Sequence, residues 1–162
     1  MDYAQRFAEL GIPWPRADEL AYTGVQYGPV APYRLVGSLL FLSGHLPERA
    51  DGTIVHPGTL GLDLSTAEGY EAARVAGLNA VKGMLSALGD LNRVAAIVRS
   101  LNFVVCTPAF HDIHLVANGC SDVLREIFGD EIGVGGRATI GVTSLARSHC
   151  FETWLTVEVK DA

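Results

Sequence analysis

The sequence is sparing in several things at once. Only 19% of its 162 residues are charged, against 49% hydrophobic, and that balance excludes intrinsic disorder. Long apolar runs are missing: the longest, Leu35 to Leu42, is broken by Gly37 and Ser38 and is far too short to span a bilayer. The start, Met1-Asp2-Tyr3-Ala4, lacks the basic and apolar regions of a secretory signal, so none is expected. Basic residues are outnumbered, 12 Lys and Arg to 18 Asp and Glu, for a formal net charge of -6. A broad nucleic-acid surface needs the opposite excess, because phosphate affinity comes mainly from Lys and Arg. The three cysteines, Cys106, Cys120 and Cys150, form neither a CxxC nor a paired framework. A reduced, cytoplasmic protein is the expectation.

What is present is a single domain's worth of alternating segments. Residues 2–10 predict a short helix that Gly11, Pro13 and Pro15 end. We divide the chain into an N-terminal arm, 1–23, and one domain, 24–162. Strands are expected over 24–36 and 38–46, then an Asp51-Gly52 turn and a short strand over 53–56. Ser65-Thr66-Ala67-Glu68 is a capping box, and the helix it opens should stop at Gly89. A long apolar strand follows over 94–106. Thr107-Pro108 then reads as the cap and first residue of a second helix closed by Gly129. Two last strands, 138–145 and 150–160, are separated by a short turn. Strand pairs flanking two helices predict an α+β fold, with a mixed sheet and its helices on one face. The other face keeps many apolar residues, which points to oligomerisation.

Few motifs carry chemistry. Gly133-x-Gly135-x-x-Ala138 approaches a dinucleotide fingerprint, but a strand rather than a helix follows it. No GxSxG elbow is present, and Cys106 and Cys120 fall on apolar faces. His111 and His114 have i, i+3 spacing on the expected helix, with no third ligand nearby, so no metal site is assigned. His149 is expected to be exposed in the last turn, whereas His45 follows Ser43-Gly44 at a strand end. Arg137, left accessible by its glycines, offers a planar fork matched to a carboxylate.

Three stretches point to a family. "GGRATIGVTSLARSHCFETWLTVEV" has an Arg opening a strand, a later Leu, and a Glu on the last strand: Arg137, Leu145 and Glu152. "APYRLVGSLLFLSGHLP" supplies Tyr33, Gly37, Ser43 and Gly44, and "VANGCSDVL" supplies Asn118. In this order they resemble the RidA/YjgF (L-PSP) family, over about residues 23–159 and in a longer, divergent branch. The resemblance implies a chorismate-mutase-like fold in a homotrimer, with clefts between subunits that bind small carboxylates. It implies hydrolysis of enamines and imines, such as 2-aminoacrylate, to 2-keto acids and ammonia, with no cofactor and no metal. Arg137 would clamp the carboxylate and Glu152 would position or deprotonate water. Tyr33, Ser43, Gly44, His45, Asn118 and Thr139 would line the substrate site.

Departures from the family pattern fall within the site. Gly136 and Ala146 replace prolines, Thr139 replaces a Cys after the Arg, and His45 replaces a Gln after Ser-Gly. A histidine there would add acid–base chemistry. If the last two strands form a hairpin turning near Ser148, Arg137 pairs near Val159. Glu152 then lies roughly 23 Å away along the strand at ~3.3 Å per residue, so one chain cannot bring the two together. Besides the imine deaminase, two other readings remain: a carboxylate-binding or regulatory trimer without turnover, and the endoribonuclease activity associated with some relatives. The charge balance disfavours the last.

Overall fold

The capping box forms as its residues dictate. The Ser65 hydroxyl accepts from Glu68 N–H at 3.3 Å, and the Glu68 carboxylate accepts from Ser65 N–H at 2.8 Å. The computed structural model, which describes residues 1–16, 19 and 28–160, runs a helix α2 from this cap over Thr66–Leu88. Gly89, left-handed at φ 74°, ends it. An earlier helix, α1 (Tyr3–Glu9), is capped by Asp2 and buries Tyr3 and Phe7. Tyr3 packs edge-on to Phe128 and Phe7 to Trp14, at centroid distances of 5.4 and 5.1 Å. Residues 1–16 of the arm therefore rest on their own chain.

Among the described residues the sheet has five strands: β1 (Tyr33–Val36), β2 (Leu39–Leu42), β3 (Val94–Val105), β4 (Gly136–Val142) and β5 (Phe151–Val159). Their spatial order is β1-β2-β5-β3-β4. All pairings are antiparallel except β3 with β4. The third helix, α3 (Ile113–Gly133), carries the chain from the end of β3 back to the start of β4, and that crossover makes the pair parallel. The expected hairpin of the last two strands is therefore absent, because β3 separates them.

Other expectations shift for local reasons. Strand β1 starts at Tyr33, β2 ends at Leu42, and residues 24–27 lie outside the described residues. The strand expected over 53–56 shrinks to one bridge, Glu48 with Ile54. Thr107 does not cap a helix. Its N–H donates to Leu60 O at 3.0 Å, its carbonyl accepts from Phe110 N–H, and α3 begins only after Asp112. His111 thus lies outside the helix that carries His114. Gly129 (φ 78°, ψ 173°) interrupts α3 where its end was expected, and one further turn follows. Strand β4 begins earlier than expected, at Gly136.

Helices α2 and α3 cover one face of the sheet and approach each other closely. A Cβ at Gly77 would stand 2.6 Å from Val123 Cγ1; one at Gly119 would stand 2.9 Å from Arg74 N and closer still to Tyr70 O. Both glycines are required by that approach. The core between helices and sheet includes Leu40, Ala76, Ala80, Val104, Ile127, Phe151 and Val157. On the opposite face Val36, Phe41, Val98, Ile140 and Trp154 are exposed. Among the described residues no helix is long and apolar enough to cross a membrane.

Candidate functional site

Register decides where the expected site residues fall. Arg137 pairs with Ser100 and Thr139 with Asn102, and both of these β3 residues are buried on the helix-covered side. Glu152 pairs with Phe103, whose ring meets Trp154 on the open side at 5.0 Å. Because side chains alternate along a strand, Arg137 and Glu152 leave opposite faces of the sheet. They cannot meet within one chain. The sequence-based conclusion holds, but by a different geometry from the hairpin that suggested it.

The first group of residues gathers at the β4 edge. Arg137 Nη1 donates to Asn118 Oδ1 at 2.9 Å and to Ser121 Oγ at 3.0 Å. These two acceptors lie three residues apart on α3, one helical face, and both are neutral. Among the described residues Arg137 makes no ion pair, so its exposed cation is oriented without being neutralised. Thr139, one same-face pair further along β4, has a buried hydroxyl oxygen with no hydrogen-bond partner among the described residues. Asn118 also borders an open cleft of about 540 Å³ lined by Thr66, Ala67, Tyr70, Glu71 and Leu115. Tyr70 donates to Asp122 Oδ2 at 2.9 Å beside it. Burial, and then the Asp122 contact, push the Tyr70 phenol up.

The second group lies where the chain leaves β2. Ser43 Oγ donates to Ala31 O. Gly44 sits directly under Glu152: a Cβ at Gly44 would stand 2.9 Å from Glu152 Cδ and closer still to Oε1. The Trp154 indole N–H donates to Glu152 Oε1 at 2.6 Å. Tyr33 starts β1 and is half-buried against the core, at the sheet edge opposite Arg137. The two edge strands are about 19 Å apart at ~4.8 Å per spacing. The expected residues thus fall into two candidate half-sites, one around Arg137, Asn118 and Thr139, the other around Ser43, Gly44 and Glu152.

His45 belongs to neither. Its backbone bridges Thr153, and its ring turns inward to α2, where a Cβ at Gly83 would stand 2.6 Å from Nε2. The ring is buried, and burial drops its pKa to about 4. It is neutral at ordinary pH, so Nδ1, 2.7 Å from Ser43 O, carries the proton and donates it there. The expectation that His45 lines the substrate site and adds acid–base chemistry is corrected: the side chain faces the helix, not the corner.

Two features escaped sequence reasoning. Ser121 and Trp154 complete the half-sites, and their signals were the helical spacing from Asn118 and the same-face spacing from Glu152. A buried polar row, Asn102 beside Thr153, also crosses under the sheet, with Thr153 Oγ1 donating to Asn102 Oδ1 at 2.7 Å. His149 is likewise fully buried rather than exposed. Its Nε2 lies 3.4 Å from Glu48 Oε2, and the same carboxylate accepts from Arg147. Arg147 and Ser148 form the turn at φ 54° and 62°. Burial pushes the Cys120 and Cys150 thiols up to about 11, which leaves them unreactive.

An open sheet face, two helices on the other, and a guanidinium presented at the sheet edge define an α+β domain. Residues 16–150 match the family described as "YjgF/chorismate mutase-like, putative endoribonuclease". The chain is 36% identical to Protein TCP17 of Trypanosoma cruzi over 158 residues, 98% of this chain and 94% of that one. The solved structure of Agrobacterium tumefaciens Atu1372, of unknown function, superposes with a TM-score of 0.85 at 30% identity, covering 98% and 92% of the two chains. A structure from Shewanella oneidensis named a "putative endoribonuclease" gives 0.86 at 29% identity, covering 97% and 99%. The chain belongs to the YjgF/chorismate-mutase-like family.

Proposed function

We propose that this protein hydrolyses reactive imines of 2-amino acids, and their enamine tautomers such as 2-aminoacrylate, to 2-keto acids and ammonia. The reaction takes place in clefts built by two copies of the chain within a cytoplasmic homotrimer. One copy contributes the Arg137 edge and its neighbour contributes the Glu152 corner. The observation that carries this reading is Arg137 itself: a guanidinium held by two neutral acceptors, with no acid partner among the described residues. Such a fork is ready for a bidentate carboxylate. Glu152, seated on Gly44 and steadied by Trp154, would take a proton from water as the water oxygen bonds to the imine carbon. The imine nitrogen gains the proton, the carbinolamine collapses to the keto acid, and ammonia leaves. No electron transfer occurs, so the balance needs no cofactor. The buried Thr139 hydroxyl and the Asn118 amide would contact the substrate beside Arg137. Tyr33, Ser43 and Gly44 would shape the facing wall. The exposed apolar side chains of the open sheet face favour cover by further copies.

The test is ammonia and keto-acid release from 2-aminoacrylate made in situ by a serine dehydratase. Acceleration by the wild-type protein, lost in both Arg137→Ala and Glu152→Ala, is the expected result. No acceleration by the folded oligomer overturns it. One observation favours a second reading, carboxylate binding without turnover: the Glu152 oxygen already accepts the Trp154 indole. In that case Arg137→Ala abolishes 2-keto acid binding while no variant changes the rate of imine decay. The family description and the Shewanella relative carry the word endoribonuclease, but a net charge of -6 opposes RNA binding. RNA cleavage that survives Arg137→Ala and vanishes on repurification would mark a contaminant.

A further inference from the structure

His45 is the site-adjacent residue that the proposed chemistry leaves unused, and its surroundings are specific on both sides. On one side the ring N–H at Nδ1 donates to Ser43 O at 2.7 Å. The His45 backbone is fixed at the same time, with its N–H donating to Thr153 O at 2.9 Å and its carbonyl accepting from Thr153 N–H at 3.0 Å. Gly44, the residue between these anchors, is the one that Glu152 Oε1 rests on. On the other side the ring fills space that α2 leaves only because residue 83 has no side chain: a Cβ there would stand 2.6 Å from Nε2 and 3.0 Å from Cε1. A Cβ does not approach another heavy atom so closely, so the ring as placed and any larger residue at 83 exclude each other.

We propose that His45, seated against Gly83, is a positioning residue that holds the Ser43–Gly44 corner, and through it the Glu152 carboxylate, in place. This rests on the reading of Glu152 as the group that activates water. The ring acts from behind the corner. It touches no substrate and transfers no proton. Its role is to close a short backbone link, Nδ1–H to the Ser43 carbonyl, so that Gly44 presents a flat seat. The structure makes the role separable from simple core filling. In asparagine the amide nitrogen occupies nearly the place of Nδ1, so His45→Asn keeps the donor and removes the part of the ring that meets Gly83. His45→Leu keeps bulk and removes the donor. Gly83→Ala displaces the ring, whose atoms are the three nearest to the added carbon.

The experiment follows the Trp154 indole N–H by NMR, in a Trp14→Phe background that leaves one indole, together with imine hydrolysis and folded-state checks. The indole donates to Glu152, so its resonance reports the carboxylate's position without needing turnover. His45→Leu and Gly83→Ala should each shift that resonance and lower kcat by about tenfold, as expected for a misplaced group. His45→Asn should leave both near wild type. Adding Gly83→Ala in the His45→Asn background should then have no further effect, because the clash is gone. An unshifted indole in folded His45→Leu, or an equal Gly83→Ala effect in both backgrounds, overturns the inference. Should the wild-type protein hydrolyse no imine, the deaminase reading falls, while the indole resonance still decides the role of His45.

Discussion

The two half-sites are built by different means. At the β4 edge, Arg137 is long, exposed and steered by two hydrogen bonds that it donates to α3. At the corner after β2, the Glu152 carboxylate lies against Gly44 with no room for a Cβ between them, and its oxygen accepts from the Trp154 indole. The first arrangement is set by polar side chains and tolerates small adjustments. The second is set by excluded volume and does not. Close packing makes a site sensitive to one carbon atom, whereas a hydrogen-bonded tether degrades by steps.

Gly44→Ala tests that contrast most strongly. The added carbon would stand 2.9 Å from Glu152 Cδ, so the carboxylate has to leave its seat. A fall of about 100-fold in kcat is expected, with 2-keto acid binding at the Arg137 edge nearly unchanged. Equal loss of both would erase the distinction between the half-sites.

Acid should act on the corner before the edge. His45 sits at about 4, from an ordinary value of 6.5, because burial disfavours the imidazolium. Between those values the unfolded chain binds a proton that the folded chain does not, so stability falls as pH drops from 6.5 to 4 and levels below. At 1.36 kcal/mol per unit, the contribution is about 3 kcal/mol. Urea denaturation at about pH 7 and about pH 4.5 should show it, and the loss should shrink in His45→Asn.

The smallest effect belongs to the tether. Ser121→Ala removes one of two acceptors and leaves Asn118 in place. KM for the imine should rise by roughly fivefold, about 1 kcal/mol, with kcat unchanged. A collapse as large as that of Gly44→Ala would show that the edge, too, is rigid.

Local chemistry was legible in the sequence, and so was the family pattern. The Ser65–Glu68 box and Gly89 bound α2 as expected, because caps depend on neighbours along the chain. Arg137 stood out by its chemistry, and Asn118 and Glu152 by their match to the family pattern. Long-range choices were hidden. Strand β4 joins β3 rather than β5 because α3 returns the chain in parallel, and no pattern within β4 announces its partner. Thr107 looked like a cap, yet its backbone was already engaged by Leu60. The inward turn of His45 depends on Gly83, thirty-eight positions later, and on α2 crossing above it.

The central claim is that neighbouring copies each complete the other's cleft, and mixing two inactive variants tests it most directly. Arg137→Ala and Glu152→Ala, each without imine hydrolysis alone, would be co-expressed and co-purified. A cleft that draws its Arg137 from one variant and its Glu152 from the other is fully native. Random assembly in a closed ring makes about a quarter of the clefts so, and about a quarter of wild-type activity should return. Mixed oligomers with no activity at all would contradict the shared cleft.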